Sequence, residues 1–378
     1  MRRFLPSLWL VLVILVTAPF IGMLRKVAFD AFPVGAVATL AVILGLIVLG
    51  VFVYGFVQIR ERRPLRYGLF ALAGLLLWFQ AHGFSASDAT VGLVEAAHIV
   101  LYGMLSILLY RALLPKDADG TAGTADPSTL LLPLLGVTFA GTLDEWVQLF
   151  AAMRLGDASD IVLNAYSGLC GLLIALGLEP PRGWRWRIER PLHVTDALAA
   201  TVLIVGLFYN HAHLGYLIED PRLGRFRSWH SPEALQQAKE ERLERWAESP
   251  PKRFRPWQVE DRYLTEAGWH KSHRDRNREL GYLYWAWQSN LILEIYYHPY
   301  LDLEGFLGQP KRRYSAKLLE EIAAGSPIID PDHFTSPVLR HRIKIWPPKP
   351  QFLMTLGVTA LLIAGVPRLM RRRRRHRP

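Results

Sequence analysis

Cysteine is almost absent from this 378-residue sequence, and Cys170 is the only one. A single thiol excludes an intramolecular disulfide, and the apolar neighbours of Cys170 predict a packing role. The sequence also lacks a Walker A loop, a dinucleotide-binding fingerprint, and the HExxH and GxSxG motifs. These absences remove the common nucleotide-binding, zinc-protease and serine-hydrolase classes, and we predict no cofactor.

Long polar stretches are scarce in residues 1–217, which consist largely of apolar runs close to the length that crosses a bilayer. The predicted fold class is all-α, a polytopic membrane helix bundle of about eight spans with a mainly helical extracytoplasmic domain inserted before the last span. The first run offers no good signal-peptide cleavage site, so it is predicted to be an uncleaved span. The predicted spans are Leu5–Leu24, Val34–Val57, Tyr67–Phe84, Val91–Leu114, Leu130–Ala151, Ile161–Leu178, Thr195–Leu217 and Phe352–Met370.

Basic residues concentrate in the segments that this arrangement places in the cytoplasm, as the positive-inside rule requires. Those segments are Arg2-Arg3, QIRERRPLR, RALLPKDADG, PRGWRWRIERP and the closing RRRRRHR. Topology and anionic lipid therefore account for the net charge of +11, and we predict no nucleic-acid partner. The predicted location is the inner (plasma) membrane, with both termini in the cytoplasm.

Five segments follow from this topology. They are residues 1–90 with spans one to three, 91–180 with spans four to six, 181–217 with a basic loop and the seventh span, 218–348 as the extracytoplasmic domain, and 349–378 with the last span and a basic tail. The bilayer is the predicted partner of the spans. The extracytoplasmic domain is a candidate for docking a protein.

Ionisable residues recur inside three adjacent predicted spans, although each costs about 2.5–3.5 kcal/mol to insert. Such residues usually face a bundle interior or a water-filled cavity. Glu95, His98 and Tyr102 lie at i, i+3 and i+7, which places them on one face of a helix. The predicted binding residues are Glu95, His98, Tyr102, Asp144, Glu145, Gln148, Arg154, Asp160 and Asn164.

These residues fall near the outer ends of their predicted spans, so we expect one outward-opening polar pocket in which Arg154 balances the carboxylates. The alternative is a set of solvated helix ends, with Asp160 as an N-cap. Catalytic residues are unknown, and an enzyme would use Glu145 as general base with His98 as its partner acid. No metal is predicted, although the acid-xx-His spacing offers Glu95, His98 and Asp144 as candidate ligands.

After His98 and Tyr102, the stretch DEWVQLFAAMRLGDASDIVLNAYSGLCG contains in order an Asp-Glu pair, a Gln, an Arg, an Asp, an Asn and a Gly-rich helix. This pattern, over roughly Val91–Leu178, resembles the VanZ-like family of multispan membrane proteins. That family usually has Lys at the place of Glu95 and Gly at the place of Ser167. The family takes its name from a member associated with low-level resistance to teicoplanin, a glycopeptide that acts on the cell wall, so the resemblance implies an envelope role.

Three functions are consistent with these observations. The first is an envelope membrane protein whose pocket binds a lipid-linked or wall-related molecule, or modulates glycopeptide susceptibility. The second is a membrane-embedded enzyme, acid–base or metal-assisted, that acts on an envelope lipid. The third is an assembly protein that acts through its external domain.

Residues 218–348 carry helical patterns and no clear strand alternation. SPEALQQAKEERLERWAES predicts a helix with Ser231 as N-cap and Pro232 at its first position. RNRELGYLYWAWQSNLILEIYYHPYLD predicts a long core helix, and SAKLLEEIAAG a short helix ended by Gly325. The histidines His270 and His273 lack further fixed ligands, so their segment is predicted to be a solvated turn.

Overall fold

The computed structural model describes the backbone of residues 2–31, 35–59, 63–83, 89–151, 156–249, 251, 261–303, 313–325, 334–335 and 349–375. Within these ranges the chain is mostly helical, in agreement with the predicted fold class. The helices are α1 (Leu5–Ala31), α2 (Gly35–Gln58), α3 (Pro64–Gly83), α4 (Ala89–Leu113), α5 (Ser128–Phe150), α6 (Ala158–Leu178), α7 (Pro191–Tyr209), α8 (Pro232–Glu248), α9 (Arg262–Glu279), α10 (Leu283–Tyr296), α11 (His298–Leu301), α12 (Ala316–Ala324) and α13 (Lys349–Arg375).

Five helical segments of the described residues are long and apolar enough to cross a membrane. They are Arg2–Phe20, Ser128–Phe150, Ala158–Leu178, Pro191–Ala212 and Pro350–Arg368. These five helices indicate a membrane protein. The other three predicted spans lie on α2, α3 and α4, where part of the side chains falls outside the described residues.

The first of two compact units contains residues 1–150, 154–208 and 353–378. At its centre α6 packs against α3, α4 and α5. The sequence permits close packing because Ser167, Gly171 and Ala175 form a stripe of small residues along α6. A Cβ atom at Gly171 would lie only 2.1 Å from the carbonyl oxygen of Gly103, so backbone meets backbone where α4 and α6 cross.

Arg66 fixes α3 against the carboxyl end of α6. Its Nε and Nη2 atoms donate to the carbonyl oxygens of Gly177 and Leu178, each at 2.8 Å. Both carbonyls lie in the last turn of α6, where no N–H group of the helix remains to bond with them. The nearby parallel strands β1 (Thr124–Ala125) and β2 (Gly183–Trp184) join the segments that follow α4 and α6.

The second unit contains residues 151–153 and 209–352. Strands β3 (Tyr216–Asp220) and β4 (Gly224–Ser228) form an antiparallel hairpin, and β5 (Phe334–Thr335) pairs with β4 in parallel. The sequence showed no clear strand alternation here, so this short sheet was not predicted. The hairpin is only five residues long on each side, and its turn is set by Gly224 at φ 88°.

Helices α8 to α12 make up most of the described remainder of this unit. The predicted cap of α8 is confirmed, because the Ser231 side chain accepts a hydrogen bond from the Ala234 N–H and Pro232 begins the helix. The predicted long core helix is interrupted: α9 ends at Glu279, Gly281 adopts φ 77°, and α10 begins at Leu283. Leucine, tyrosine and tryptophan side chains from both helices, from α8 and from the hairpin form one core.

The solvated turn predicted at His270 and His273 is also wrong, because both residues lie in the middle of α9. His270 is fully buried, and neither ring nitrogen has a hydrogen-bond partner within the described part of the chain. His273 bonds to the Ser289 hydroxyl of α10 at 2.9 Å and stacks on Trp269. The residues next to these histidines in the sequence are mostly polar, so the sequence did not indicate that this face of α9 packs against α10.

Candidate functional site

Polar side chains from α4, α5 and α6 meet inside the first unit. His98 and Tyr102 come from α4, where a spacing of four residues places both on the face that packs against the neighbouring helices. The third contributing helix, α6, supplies Asn164 two turns after its start. The six side chains that form this buried polar network are His98, Tyr102, Asp144, Glu145, Gln148 and Asn164.

Asp144 is held by donors from two helices. The Tyr102 hydroxyl donates to Asp144 Oδ2 at 2.9 Å, and Gln148 Nε2 donates to the same oxygen at 3.0 Å. Gln148 lies one turn after Asp144 on α5, so the helix itself provides the second donor. Gln148 Nε2 also donates to Glu145 Oε1 at 3.0 Å, and one amide group thus orients both carboxylates.

Glu145 is anchored to the start of α6. Its Oε2 accepts the backbone N–H of Asp157 at 2.9 Å, while the Asp157 side chain caps α6 by accepting the Ser159 N–H at 3.0 Å. The N-cap of this helix is therefore Asp157, and Asp160, which the sequence offered as a cap, occupies the first turn. The sequence signal for the cap is an aspartate two residues before a serine at the start of an apolar run.

His98 is joined to α6 through Asn164. Its Nδ1 lies 2.7 Å from Asn164 Oδ1. When Nδ1 donates to this oxygen, the neutral ring presents the lone pair of Nε2. The packing at Asn164 is tight, since a Cβ atom at Gly141 would come within 2.8 Å of the Asn164 amide.

His98, Asp144 and Glu145 each place a potential ligand atom within 4.8 Å of the other two. All three are buried, with relative exposures of 7%, 4% and 0%. One imidazole and two carboxylates at this separation can share a proton or bind one cation. The candidate ligand set from the sequence contained Glu95 in place of Glu145.

Three further residues were predicted for the site from the sequence, namely Asp160, Glu95 and Arg154. Asp160 is half-buried in the first turn of α6. The side chain of Glu95 and the whole of Arg154 lie outside the described residues. Asp157 is the functional candidate that the sequence reasoning did not select, because its role depends on a backbone N–H.

A mainly apolar crevice of about 80 Å³ begins within one helical turn of the polar network. Ile99 and Gly103 line it from α4, and Ser167 and Gly171 line it from α6. The remaining walls come from aliphatic and aromatic side chains of α2 and α3, with further residues of α4 and α6. The unit thus combines a buried polar network with an adjacent apolar recess.

No protein-family model, curated protein or solved structure matches the chain. The fold and the site by themselves define a class. It is a mostly helical protein with five described segments apolar enough to cross a membrane, and with a buried acid–histidine network between three of its helices. The chemistry of that network carries the functional argument.

Proposed function

We propose that the chain is a VanZ-like, multi-pass protein of the plasma membrane. The proposed topology has eight spans, cytoplasmic termini and an extracytoplasmic domain at residues 218–348. Its support is the placement of basic residues in every loop and terminus that this arrangement assigns to the cytoplasm. On this topology the polar network lies in the outer half of the membrane.

The proposed function is to bind a lipid-linked or cell-wall-related molecule at this network, and thereby to modulate glycopeptide susceptibility. The observation that carries the proposal is the convergence of buried polar side chains from three helices on His98, Asp144 and Glu145. Ionisable residues inside a membrane span usually belong to a functional site, and a preorganised set of them suits a polar ligand. The adjacent apolar crevice suits the hydrocarbon part of a lipid-linked molecule.

The family resemblance supports the same site. The motif positions that resemble the VanZ-like pattern include the members of the polar network, namely His98, Tyr102, Asp144, Glu145, Gln148 and Asn164. The geometry supports a polar binding site, and the family resemblance further implies a role in the cell envelope.

The test compares isosteric variants in a bacterial strain whose teicoplanin susceptibility changes when the wild-type chain is expressed. Asp144→Asn and Glu145→Gln keep shape but remove a charge, and we expect each to abolish the change in susceptibility. The matched control is Asp196→Asn, because Asp196 is an exposed acid of α7 that pairs with Arg368. Membrane levels of all chains are compared by immunoblot.

Two results would contradict the proposal. One is a wild-type chain that leaves teicoplanin susceptibility unchanged in every strain tested. The other is an Asp144→Asn or Glu145→Gln chain that acts like the wild type at equal membrane level. A loss of the effect in Asp196→Asn as well would show that charge anywhere in the unit matters, and would remove the assignment to this site.

The second candidate function is catalysis on an envelope lipid. The observation that favours it is the proximity of Glu145 to His98, with potential ligand atoms within 4.8 Å. Glu145 would act as general base and His98 as partner acid. Mass spectrometry of lipids incubated with the purified chain tests it, because a headgroup released by the wild type and not by Glu145→Gln supports catalysis, and unchanged lipids argue against it.

A further inference from the structure

We propose that His98, Asp144 and Glu145 form a divalent metal site of the open, three-ligand type. These three residues also belong to the site of the proposed function, but metal binding by them does not depend on that function. Its first support is distance, because one ligand atom from each residue lies within 4.8 Å of the others. Ligands bound at about 2.0–2.2 Å in a tetrahedral site lie roughly 3.3–3.6 Å apart, so the three groups have to move closer together when the ion binds.

The ligand types select a class of ion. Imidazole binds Zn²⁺, Fe²⁺ and other transition metals, and carboxylates add negative charge that suits a divalent cation. Three protein ligands with one position left open is the arrangement of catalytic zinc sites, whereas structural zinc sites are closed by four. The free cysteine, Cys170, is absent from the triad, so the set contains no thiolate. Zn²⁺ is the ion that this donor set favours, and Mn²⁺ is the competing ion.

The second support is the orientation of His98. A metal-binding histidine usually donates its other ring N–H to an oxygen, which fixes the tautomer and aims the lone pair. The Asn164 Oδ1 atom is that oxygen here, at 2.7 Å from Nδ1. Nε2 is then the atom available for a metal. Asn164 is fully buried, so the arrangement is maintained by the packing of α4, α5 and α6.

The third support is the orientation of the two carboxylates. Asp144 receives hydrogen bonds from Tyr102 and Gln148, and Glu145 receives them from Gln148 and from the Asp157 N–H. These bonds fix the orientation of each carboxylate. Outer hydrogen bonds of this kind are typical of metal ligands.

The experiment measures metal directly in the purified full-length chain in detergent. The protein is stripped with a chelator, reloaded with Zn²⁺ or Mn²⁺, and desalted. Inductively coupled plasma mass spectrometry then gives the bound ion, and calorimetry gives the Kd for Zn²⁺. We expect about one Zn²⁺ per wild-type chain and a higher thermal unfolding temperature in its presence, because the ion binds the folded state.

Variants assign the ion to the triad. We expect His98→Ala, Asp144→Asn and Glu145→Gln each to lose the stoichiometric ion, and Asn164→Ala to weaken Zn²⁺ binding about 10–100-fold. The matched control for histidine removal is His193→Ala, since His193 is exposed on α7. Circular dichroism and size-exclusion chromatography establish that each variant is folded. If a variant does not fold, the number of ions bound per wild-type chain decides the question.

The proposal is overturned if the stripped wild-type chain takes up less than a tenth of an equivalent of either ion. It is also overturned if the triad variants retain the ion as His193→Ala does. The outcome is separable from the susceptibility test. A chain that binds zinc at the triad but leaves susceptibility unchanged supports the metal site and contradicts the proposed function. A chain that changes susceptibility but binds no zinc contradicts the metal site and supports the proposed function.

Discussion

Replacing Gly171 with alanine tests whether the close crossing of α4 and α6 positions the polar network. The added Cβ atom would stand 2.1 Å from the carbonyl oxygen of Gly103 and 2.7 Å from its Cα, and ordinary contact begins at 3.4 Å. The obstruction is backbone, so no side-chain rotation relieves it. The two helices have to separate by about 1.3 Å at this point, the difference between 2.1 Å and 3.4 Å.

The separation has two measurable consequences. Overpacking of this kind typically costs about 1–3 kcal/mol, and contact with backbone favours the upper part of that range. A shift of the same size at the other end of the contact would lengthen the His98–Asn164 bond from 2.7 Å to about 4 Å, which is too long for a hydrogen bond. We therefore expect both lower stability and a disturbed site.

The assay is thermal unfolding of the detergent-solubilised chain, together with the teicoplanin-susceptibility measurement. Gly103→Ala is the matched control on the partner helix, because its Cβ atom would lie 3.5 Å from the Ser167 carbonyl oxygen, in ordinary contact. We expect Gly171→Ala to unfold several degrees lower and Gly103→Ala to unfold like the wild type. Equal unfolding temperatures for the two variants would refute the reasoning.

Two further predictions concern each unit by itself. Burial lowers the pKa of His270 to about 3, whereas the side chain in the unfolded state titrates near 6.5. Below pH 6.5 the unfolded state therefore binds a proton that the folded state does not. The free energy of unfolding then falls by about 1.4 kcal/mol per pH unit until pH 3. Hydrogen exchange of α9 peptides at pH 5 and pH 7 measures this, and a His270→Phe chain with the same pH dependence would contradict it. In the first unit, Arg66→Lys removes the pair of hydrogen bonds to the carbonyls of Gly177 and Leu178. We expect the free energy of unfolding, measured by thermal unfolding, to fall by about 1.5–3 kcal/mol. The control Arg187→Lys changes an exposed arginine and should leave stability unchanged.

Helical spacing accounts for what the sequence predicted well about the site. His98 and Tyr102 are four residues apart, as are Asp144 and Gln148, and any helix places such pairs on one face. The predicted fifth span, Leu130–Ala151, therefore agrees closely with α5 at Ser128–Phe150. Long apolar runs leave little choice of structure, because a helix satisfies its own backbone hydrogen bonds in lipid.

Long-range contacts account for what the sequence did not predict. The bond from the Asp157 backbone N–H to Glu145 joins residues twelve positions apart, and a backbone donor has no residue signature. The hairpin of β3 and β4 was missed because each strand has only five residues, and β4 carries two arginines, Arg225 and Arg227. The burial of His270 follows from packing against α10, and its own neighbours are charged.

Glu266 shows why burial of an acid is insufficient to identify a functional site. It is fully buried in the second unit and accepts hydrogen bonds from the Ser228 hydroxyl at 2.8 Å, the Tyr297 hydroxyl at 2.6 Å and the Trp229 N–H. His230 Nδ1 lies 3.1 Å away as well. Groups from β4, from the two residues that follow it and from the C-cap of α10 thus surround a single carboxylate, so Glu266 joins the hairpin to the helices.

The acids of α5 differ from Glu266 in arrangement. Asp144 and Glu145 are adjacent, share one donor in Gln148, and each has an oxygen within 4.8 Å of a ring nitrogen of His98. Two neighbouring carboxylates repel each other in a medium of low dielectric. Hydrogen bonds from Tyr102, Gln148 and the Asp157 N–H offset part of that repulsion, and two acids beside an imidazole are the arrangement on which the proposed ligand site depends.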